Sequence, residues 1–430
     1  MNICVLGLWH LGTVTAACLA SSGHRVAGLD FDEPIIRNLQ EGRPPLFEPG
    51  LEDLVKMGLR NRSLSFTTDS VAALKDANII WVAYDTPVDE EDRADVSFVI
   101  ERVESVFAHI PKGALVLISS QLPVGTTRLL EEIYAKSFLD KQISFAYSPE
   151  NLRLGKAISI FTEPDRVVVG IRSERDKLPI AAMLRPFTER IEWMSVESAE
   201  MTKHALNAFL ATSVVFINEI ATICEQVGAD AKEVERGLKS EARIGQKAYL
   251  SPGGAFAGGT LARDISFLTE LGERSGKKLP MLSNVRTSNA EHKNWARNKL
   301  LELVEHWRGF SVAVWGLTYK PGTDTLRRSS AIELCRWLVK MGVSVQAHDP
   351  VVKALPEDLA PHVALCTSEL AALEGARALV VATQWPDYRA VGADKILAMG
   401  EAPLILDPDR FLVKTLGSDP RLRYFAVGGK

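Results

Sequence analysis

Two polar residues, Lys203 and Asn207, interrupt a mostly apolar stretch that runs from residue 198 to residue 230. The stretch has no proline, its apolar residues recur at spacings of three and four, and its one glycine lies near the end. These features predict a helix of about thirty residues, about 45 Å long. Residues four apart share a helical face, so the Lys203 and Asn207 side chains form either an ordinary polar stripe or part of a site.

Charged residues in two other segments are candidates for the same site. Glu150 ends a predicted strand, 143–150, and a carboxylate at a strand end is a candidate for an active-site role. The segment from Arg243 to Asp264 contains five glycines and a proline, so its backbone can approach a ligand closely. A simple flexible loop is the alternative interpretation of that segment.

The elements that would position these residues begin with a dinucleotide-binding pattern. A buried strand at 2–7, a glycine turn, a helix and a second strand that ends at Asp30 follow one another in the order of that pattern. We assign Gly7 and Gly12 to the pyrophosphate turn and Asp30 to the adenosine ribose, which favours NAD over NADP. Trp9 occupies the middle glycine position of GxGxxG, where we expect its side chain to crowd the pyrophosphate or shift the turn.

Strand and helix patterns continue to alternate along the first half of the chain. Further strands are predicted at 78–85, 114–120 and 143–150, and helices at 47–57, 96–109 and 126–136. This order predicts a doubly wound sheet whose cofactor contacts lie beyond the carboxyl ends of the strands. The residues at those ends that we assign to the cofactor are Thr86, Pro87 and Gln121.

A second α/β pattern begins near residue 309 and runs through strand, turn, helix and strand to Asp349. Its turn holds Lys320 and Arg327, and basic residues there suit a diphosphate. The predicted fold class is therefore α/β, with two Rossmann-like doubly wound domains joined by a long central helix. The predicted domains are an NAD-binding domain at 1–195, a central helical domain at 196–305 and a second α/β domain at 306–430.

The composition limits the class of protein and its partners. The chain has 430 residues with 24% charged and 46% hydrophobic residues and a formal charge of -4, without a long basic run, so we expect a globular protein that binds no nucleic acid. No leader pattern or continuous apolar span is evident, which predicts a cytoplasmic protein with no membrane partner. The five cysteines are scattered singly, so we expect reduced thiols and no metal site.

Ordered motifs give the chain a resemblance to the UDP-glucose/GDP-mannose 6-dehydrogenase family over nearly its whole length. The matching motifs are NLQEGRPPLFEPGL from residue 38, LPVGTT from 122, SPENLRLGKA from 148, PDRVVVG from 164, AEMTKHALNAFLA from 199, FINEIA from 216, GLTYKPGTDTLR from 316 and TQWPDY from 383. The resemblance implies an NAD domain, a long helix at a homodimer core and a C-terminal domain for the nucleotide of a sugar donor. It also implies oxidation of the sugar C6 alcohol to a carboxylate with two NAD, through a cysteine-bound thioester, and a role in polysaccharide biosynthesis.

The resemblance also assigns roles to individual residues. Lys203 would stabilise the oxyanion, Asn207 would orient the reacting oxygen, Asp264 would position water or Lys203, and Glu150 would act as base in hydrolysis. The residues that would contact the nucleotide sugar are Arg243, Lys320 and Arg327.

Three departures from the family pattern fall on the second oxidation or near the nicotinamide. Where the family has GGSCFPKD this chain has AGGTLARD, so Thr260 occupies the position of the nucleophilic cysteine, or Leu261 does with another gap. A hydroxyl traps an aldehyde poorly compared with a thiol. Gln121 replaces the threonine of STVP, and Leu154 replaces the second glutamate of PEFLRE.

These departures leave three hypotheses open. The leading one is an NAD-dependent oxidoreductase of a nucleotide sugar that keeps the first oxidation and reaches the carboxylate, where it does so, through the hydrated aldehyde. The second is a two-electron dehydrogenase or an epimerase-like enzyme, and the third is a catalytically silent nucleotide-sugar-binding protein. Retained Lys203, Asn207 and Asp264 argue against silence, whereas Trp9 and Thr260 argue for it.

Overall fold

The computed structural model describes residues 1–89, 94–138, 142–257 and 259–429. The chain divides into two compact units, Met1–Leu206 and Asn207–Lys430. Gly258, which belongs to the predicted glycine-rich segment, lies outside the described residues.

The first unit is built on a sheet with the strand order β3-β2-β1-β4-β5-β6-β7-β8. Its strands are β1 (Asn2–Leu6), β2 (Arg25–Leu29), β3 (Leu64–Thr67), β4 (Ile79–Val82), β5 (Leu115–Ile118), β6 (Ser144–Tyr147), β7 (Val167–Ile171) and β8 (Ile191–Ser195). Neighbouring strands are parallel except β6 and β7, which pair antiparallel at Tyr147 and Gly170. The order changes direction between β1 and β4, and ligands of open α/β sheets bind at such a point.

Helices connect these strands in the doubly wound manner. They are α1 (His10–Ser21), α2 (Glu33–Gln40), α3 (Leu51–Arg60), α4 (Ser70–Leu74), α5 (Val96–Glu104), α6 (Thr126–Ser137), α7 (Ala157–Thr162) and α8 (Lys177–Leu184), and α9 (Val196–Val227) follows the last strand. Alternate residues of a strand point to opposite faces, and β1 shows the result. Ile3 and Val5 pack in one hydrophobic core, whereas Cys4 and Leu6 pack in a second one. The sheet is therefore buried on both sides.

The second unit repeats this architecture after a group of helices. The helices are α10 (Ala231–Ser240), α11 (Thr260–Arg274), α12 (Pro280–Lys293), α13 (Trp295–Leu303), α14 (Ser330–Lys340) and α15 (Ala393–Leu397). The strands are β9 (Ser311–Trp315), β10 (Ser344–His348), β11 (Val363–Leu365), β12 (Ala378–Val381), β13 (Leu404–Leu406) and β14 (Arg423–Phe425). They form a parallel sheet in the order β11-β10-β9-β12-β13-β14. The predicted fold class is confirmed.

Several predicted boundaries are wrong. The helix predicted at 96–109 ends at Glu104, and the strand predicted at 143–150 ends at Tyr147, so Glu150 lies in the loop after it. Local backbone chemistry explains two further boundaries. The helix predicted at 47–57 begins at Leu51 because it follows Pro49 and because Gly50, at φ 82°, is its N-cap. The long helix begins at Val196 and ends at Val227, since Gly228 adopts φ 72° and terminates it. The predicted domain boundaries at 195 and 305 remain predictions.

The length and composition of α9 also meet the criterion for a membrane-crossing helix, with a mean hydropathy of 1.5 in its most apolar window. Core helices of soluble proteins meet the same criterion, so this property alone assigns no membrane role. Among the residues that the structure describes, α9 is the helix that meets this criterion.

Candidate active site

The turn between β1 and α1 has the geometry of a dinucleotide-binding loop. Gly7 adopts φ 92°, and a Cβ added at Gly12 would lie 1.7 Å from the Gly7 carbonyl oxygen. Both glycines are therefore required, the first by its backbone conformation and the second by the close approach of helix to turn. The amide of Leu8 donates to the Asp30 carboxylate at 2.7 Å, which ties the turn to the end of β2.

Trp9 fits this turn without backbone strain. Its φ is -74° and its ψ is -147°, and its side chain is 44% exposed. A hydrogen bond closes the turn across Trp9, because the Thr13 hydroxyl donates to the Leu8 carbonyl at 2.8 Å. A negative φ is open to any residue, so a glycine is not needed there for conformation. The turn, its two glycines and Asp30 thus fit the pyrophosphate and ribose of NAD, with the tryptophan ring at the surface.

We expect Gly12→Ala to damage both the turn and cofactor binding. Its methyl group would meet backbone at 1.7 Å, so the free energy of unfolding should fall by about 1–3 kcal/mol and NAD affinity by at least about tenfold. Thermal unfolding and calorimetric titration with NAD measure the two effects. Gly237→Ala in α10 is the matched control, since nothing lies within 4 Å of an added Cβ there. Wild-type stability and affinity in Gly12→Ala would contradict this account.

The predicted cofactor residues at the ends of β4 and β5 lie in contact. The Thr86 hydroxyl donates to the Gln121 carbonyl at 2.8 Å, and Thr86 is buried. Pro87 is exposed, and its carbonyl accepts from the Asp95 amide at 2.8 Å. Adjacent strand ends of one sheet therefore hold the three residues at one edge, as their positions after parallel strands predict.

Lys203 meets the loop that follows β6. Its ammonium donates to the Glu150 carbonyl oxygen at 2.6 Å and lies 3.4 Å from the Asn151 side-chain oxygen. Lys203 is buried, and the Glu150 carboxylate accepts from the Leu152 amide at 2.6 Å. The structure thus brings together the lysine and the loop of the predicted base, although the contact is to the Glu150 backbone.

Two neighbours of Lys203 that the sequence analysis did not single out fix this part of α9. Glu200 is fully buried and accepts from the amides of Gly125 and Thr127, at 2.6 and 3.0 Å. His204 lies 2.9 Å from the Leu122 carbonyl oxygen. Both partners belong to the segment that opens α6, so the orientation of Lys203 is set by the residues on either side of it.

In the second unit, the Asn207 amide donates to Asp264 in a short hydrogen bond. Asp264 is fully buried on α11. Thr260 is the first residue of α11 and is exposed, and it precedes Asp264 by one helical turn. Asn207 and Asp264 therefore form a hydrogen-bonded pair, and Thr260 lies at the N-terminal end of α11.

The three basic residues assigned to the nucleotide sugar lie on two segments of the second unit. Arg243 is highly exposed and pairs with Glu241 at 3.0 Å. Lys320 and Arg327 lie between β9 and α14, where the Lys320 ammonium is 5.4 Å from the centre of the Tyr319 ring. Their assignment to a ligand remains a prediction.

The second unit repeats the glycine turn of the first with one difference. Gly316 adopts φ 87° after β9, and the amides of Leu317 and Thr318 donate to one Asp349 oxygen, at 2.7 and 3.1 Å. That oxygen also accepts from the Trp385 ring nitrogen at 3.0 Å. Asp349 is buried and serves the turn itself.

The cysteines are free, and those in hydrophobic cores are poor nucleophiles. Burial raises the pKa of the Cys4, Cys18 and Cys335 thiols to about 12. Cys224 is also buried, and Cys366 is partly exposed. Within the described ranges, no three His, Cys, Asp or Glu side chains are grouped to hold a metal ion.

Glu48 is a further residue that the sequence analysis left unassigned. It is 4% exposed, and its carboxylate accepts from the amides of Gly155 and Ala157, at 2.7 and 2.8 Å. The partners are more than a hundred residues distant, so only the motif LFEPGL around Glu48 drew attention to it.

A glycine turn is tied to an acidic residue, polar residues follow the strand ends of the same sheet, and a lysine on α9 is buried. Together these features define an NAD-dependent oxidoreductase of the α/β class. The chain belongs to the UDP-glucose/GDP-mannose dehydrogenase family. The family's NAD-binding domain matches residues 1–188, its central domain residues 197–291 and its UDP-binding domain residues 313–414. The family predicted from the motifs is confirmed.

Characterised relatives and solved structures agree with this membership. A UDP-glucose 6-dehydrogenase of Pseudomonas aeruginosa is 35% identical over 421 residues, which cover 95% of this chain and 93% of the relative. A UDP-glucose 6-dehydrogenase of Bacillus subtilis is 33% identical over 94% of this chain and 88% of its own length. The structure of a UDP-glucose dehydrogenase from Pyrobaculum islandicum has a TM-score of 0.86 at 28% identity, covering 100% of this chain and 98% of that one.

Proposed function

We propose that this chain oxidises the C6 alcohol of UDP-glucose with NAD. The observation that carries the proposal is the buried Lys203, whose ammonium is held 2.6 Å from the Glu150 carbonyl in the NAD-binding unit. Support for the substrate comes from the relatives, which are UDP-glucose 6-dehydrogenases matched along nearly the whole chain. A related UDP-D-ManNAc dehydrogenase from Pyrococcus horikoshii, with a TM-score of 0.84 at 25% identity over 100% of this chain and 99% of that one, makes acetamido sugars the first competitors to test.

The residues of the chain divide the work of the first oxidation. NAD supplies the acceptor for the hydride that leaves C6. The Lys203 ammonium stabilises the negative charge that develops on the C6 oxygen as its proton leaves, because a buried cation acts strongly on a nearby charge. Asn207 donates an amide hydrogen to the reacting oxygen, and Asp264 holds that amide in place. Arg243, Lys320 and Arg327 contact the nucleotide.

We propose further that the second oxidation, where it occurs, does not pass through a thioester. Thr260 lies at the N-terminal end of α11, and its hydroxyl is a weak nucleophile. The aldehyde instead adds water across its C=O bond to give a gem-diol, and Glu150 takes a proton from one hydroxyl while hydride leaves carbon. One water is consumed, each of the two oxidations reduces one NAD and releases one proton, and ionisation of the carboxylic acid product to the carboxylate releases a third.

The product distribution tests this proposal. Purified protein would be given NAD and, in turn, UDP-glucose, GDP-mannose and UDP-linked acetamido sugars, with NADH followed at 340 nm and products weighed by mass spectrometry. Two NADH per UDP-glucose and a carboxylate product are expected for the hydrate route. One NADH per sugar with release of the aldehyde would favour the two-electron dehydrogenase. A changed sugar without net NADH would favour the epimerase-like alternative, and no turnover of any sugar would overturn the proposed function.

We also propose a homodimer that forms along α9 in the cytoplasm. Four large apolar residues on one stripe of this helix are exposed, at spacings of seven, seven and four: Phe209, Phe216, Ile223 and Val227. Such a stripe is typical of an interface. Free cysteines suit a reducing compartment.

Phe209→Glu should shift the protein from dimer to monomer, because a carboxylate would be buried unpaired in the interface. The dissociation constant should rise by at least about a hundredfold, as measured by analytical ultracentrifugation. Leu178→Glu, at an apolar site on α8 that is 79% exposed against 68% for Phe209, is the control and should leave the mass unchanged. A wild-type monomer, or a dimeric Phe209→Glu variant, would contradict the proposal.

A further inference from the structure

His10 and Glu48 form a buried contact directly behind the dinucleotide turn. His10 is the first residue of α1, and its Nε2 lies 3.0 Å from Glu48 Oε2. The two side chains are 14% and 1% exposed. The residues that precede them, Trp9 and Phe47, are 44% and 86% exposed, so the pair is shielded although both preceding residues face solvent. A shielded pair has little water to replace a lost partner.

The same Glu48 carboxylate holds the end of the loop between β6 and α7. It accepts from the Gly155 amide at 2.7 Å and from the amide of Ala157, the first residue of α7, at 2.8 Å. The other end of this loop, at Glu150 and Asn151, is held by Lys203. One buried carboxylate therefore joins the cofactor turn to the loop that carries the predicted base and the contacts of the predicted catalytic lysine.

We propose that His10 is a positioning residue that transmits occupation of the dinucleotide turn to the loop 148–156. Binding of the cofactor restricts the turn, His10 holds Glu48, and Glu48 fixes Gly155 and Ala157, which sets the backbone at Glu150 against Lys203. His10 touches neither sugar nor reacting atoms. The catalytic consequence rests on the proposed function, whereas the coupling between turn and loop does not.

The test measures hydrogen exchange by mass spectrometry in peptides that cover residues 8–14 and 148–158, with and without NAD. In the wild type, NAD should slow exchange in both peptides, by about tenfold in the second. In His10→Leu the slowing should persist at 8–14 and vanish at 148–158. In His10→Gln, whose amide can take the place of Nε2, both effects should return.

Kinetics provide a second readout on the same variants. With UDP-glucose, His10→Leu should lower kcat about tenfold while the KM for NAD changes less than about threefold, and His10→Gln should restore kcat to within about twofold. His24→Leu is the matched control, because it also removes a buried histidine contact in this unit, at 3.0 Å to the Met183 carbonyl. It should lower stability and retain the slowing at 148–158.

The outcomes separate the inference from the proposed function. Retained slowing at 148–158 in His10→Leu, or failure of His10→Gln to restore it, would overturn the positioning role, and so would equal loss in His24→Leu. Where His10→Leu does not fold, His10→Asn replaces it, since its shorter amide does not reach Glu48. Coupling seen by exchange in a protein that oxidises no nucleotide sugar would uphold this inference and reject the proposed function.

Discussion

Replacing Lys203 with alanine should lower kcat by about 10²- to 10³-fold while leaving ligand binding in place. The buried ammonium is the cation that we assign to the developing oxyanion, and loss of one such donor costs about 10²- to 10³-fold in kcat. The affinity for NAD should change less than about threefold, because the dinucleotide turn is built from other residues. Initial rates with UDP-glucose and calorimetric titration with NAD and UDP would measure both quantities.

Two further variants make the Lys203 experiment decisive. Lys203→Met keeps the apolar stem and removes only the charge, so it separates electrostatics from packing. Thr202→Ala, whose hydroxyl donates to the Ser198 carbonyl at 2.7 Å and to the Met194 sulfur at 3.5 Å, is the control on the same helix and should retain wild-type kcat. Full activity in Lys203→Met would remove the lysine from the mechanism, and a wild type without turnover on any sugar would support a silent binding protein.

Thr260→Cys should restore a covalent route to the carboxylate. The residue is exposed at the first position of α11, where the helix dipole lowers the pKa of a thiol and favours the thiolate. We expect the rate of carboxylate formation to rise by about tenfold or more, since a thiohemiacetal is a better hydride donor than free aldehyde in water. Mass spectrometry of the sugar and of the trapped protein would follow product and adduct.

Alkylation gives the matching control. Iodoacetamide should leave the wild type active and inactivate Thr260→Cys. Burial raises the pKa of Cys4, Cys18 and Cys335 to about 12, and it also raises the pKa of the partly exposed Cys366. Leu261→Cys, one residue further along α11, distinguishes the two possible alignments of the cysteine position. Faster carboxylate formation in Leu261→Cys alone would assign the position to residue 261, and an unchanged product in both folded variants would count against a covalent trap here.

The sequence predicts those parts of the fold that depend on local pattern. Buried runs such as those around Ile3 and Ile79 have enough β-branched and apolar residues to be recognised as strands, and the absence of proline from Val196–Val227 identifies the long helix. Boundaries fail where a single glycine decides them, as at Gly50 and Gly228. Strands β7 and β8 were not predicted. Their place in the sheet depends on tertiary strand pairing, which a local sequence pattern does not show.

The candidate site likewise contains residues that the local sequence pattern predicts and residues that it does not. Gly7, Gly12 and Asp30 follow from spacing, since the turn that needs them lies within one strand-helix-strand unit. Glu48 and His10 do not, because their contact joins residues 38 apart and Glu48 meets amides more than a hundred residues away. Trp9 was expected to crowd the pyrophosphate or shift the turn. Its φ of -74° shows that the backbone accommodates a side chain there, and crowding of the pyrophosphate stays a prediction.

The duplicated glycine turn has a consequence for the order of events in each catalytic cycle. In the second unit, Asp349 accepts six hydrogen bonds from its own chain among the described contacts, whereas Asp30 accepts two, so Asp349 has less capacity left for a ribose diol. The first unit, which matches the family's NAD-binding domain, is therefore the better fitted of the two to bind the dinucleotide. A four-electron oxidation must fill this NAD site twice. NADH therefore leaves and a second NAD binds while the half-oxidised sugar stays bound. Residence time of the sugar, rather than hydride transfer alone, then decides how far the oxidation proceeds.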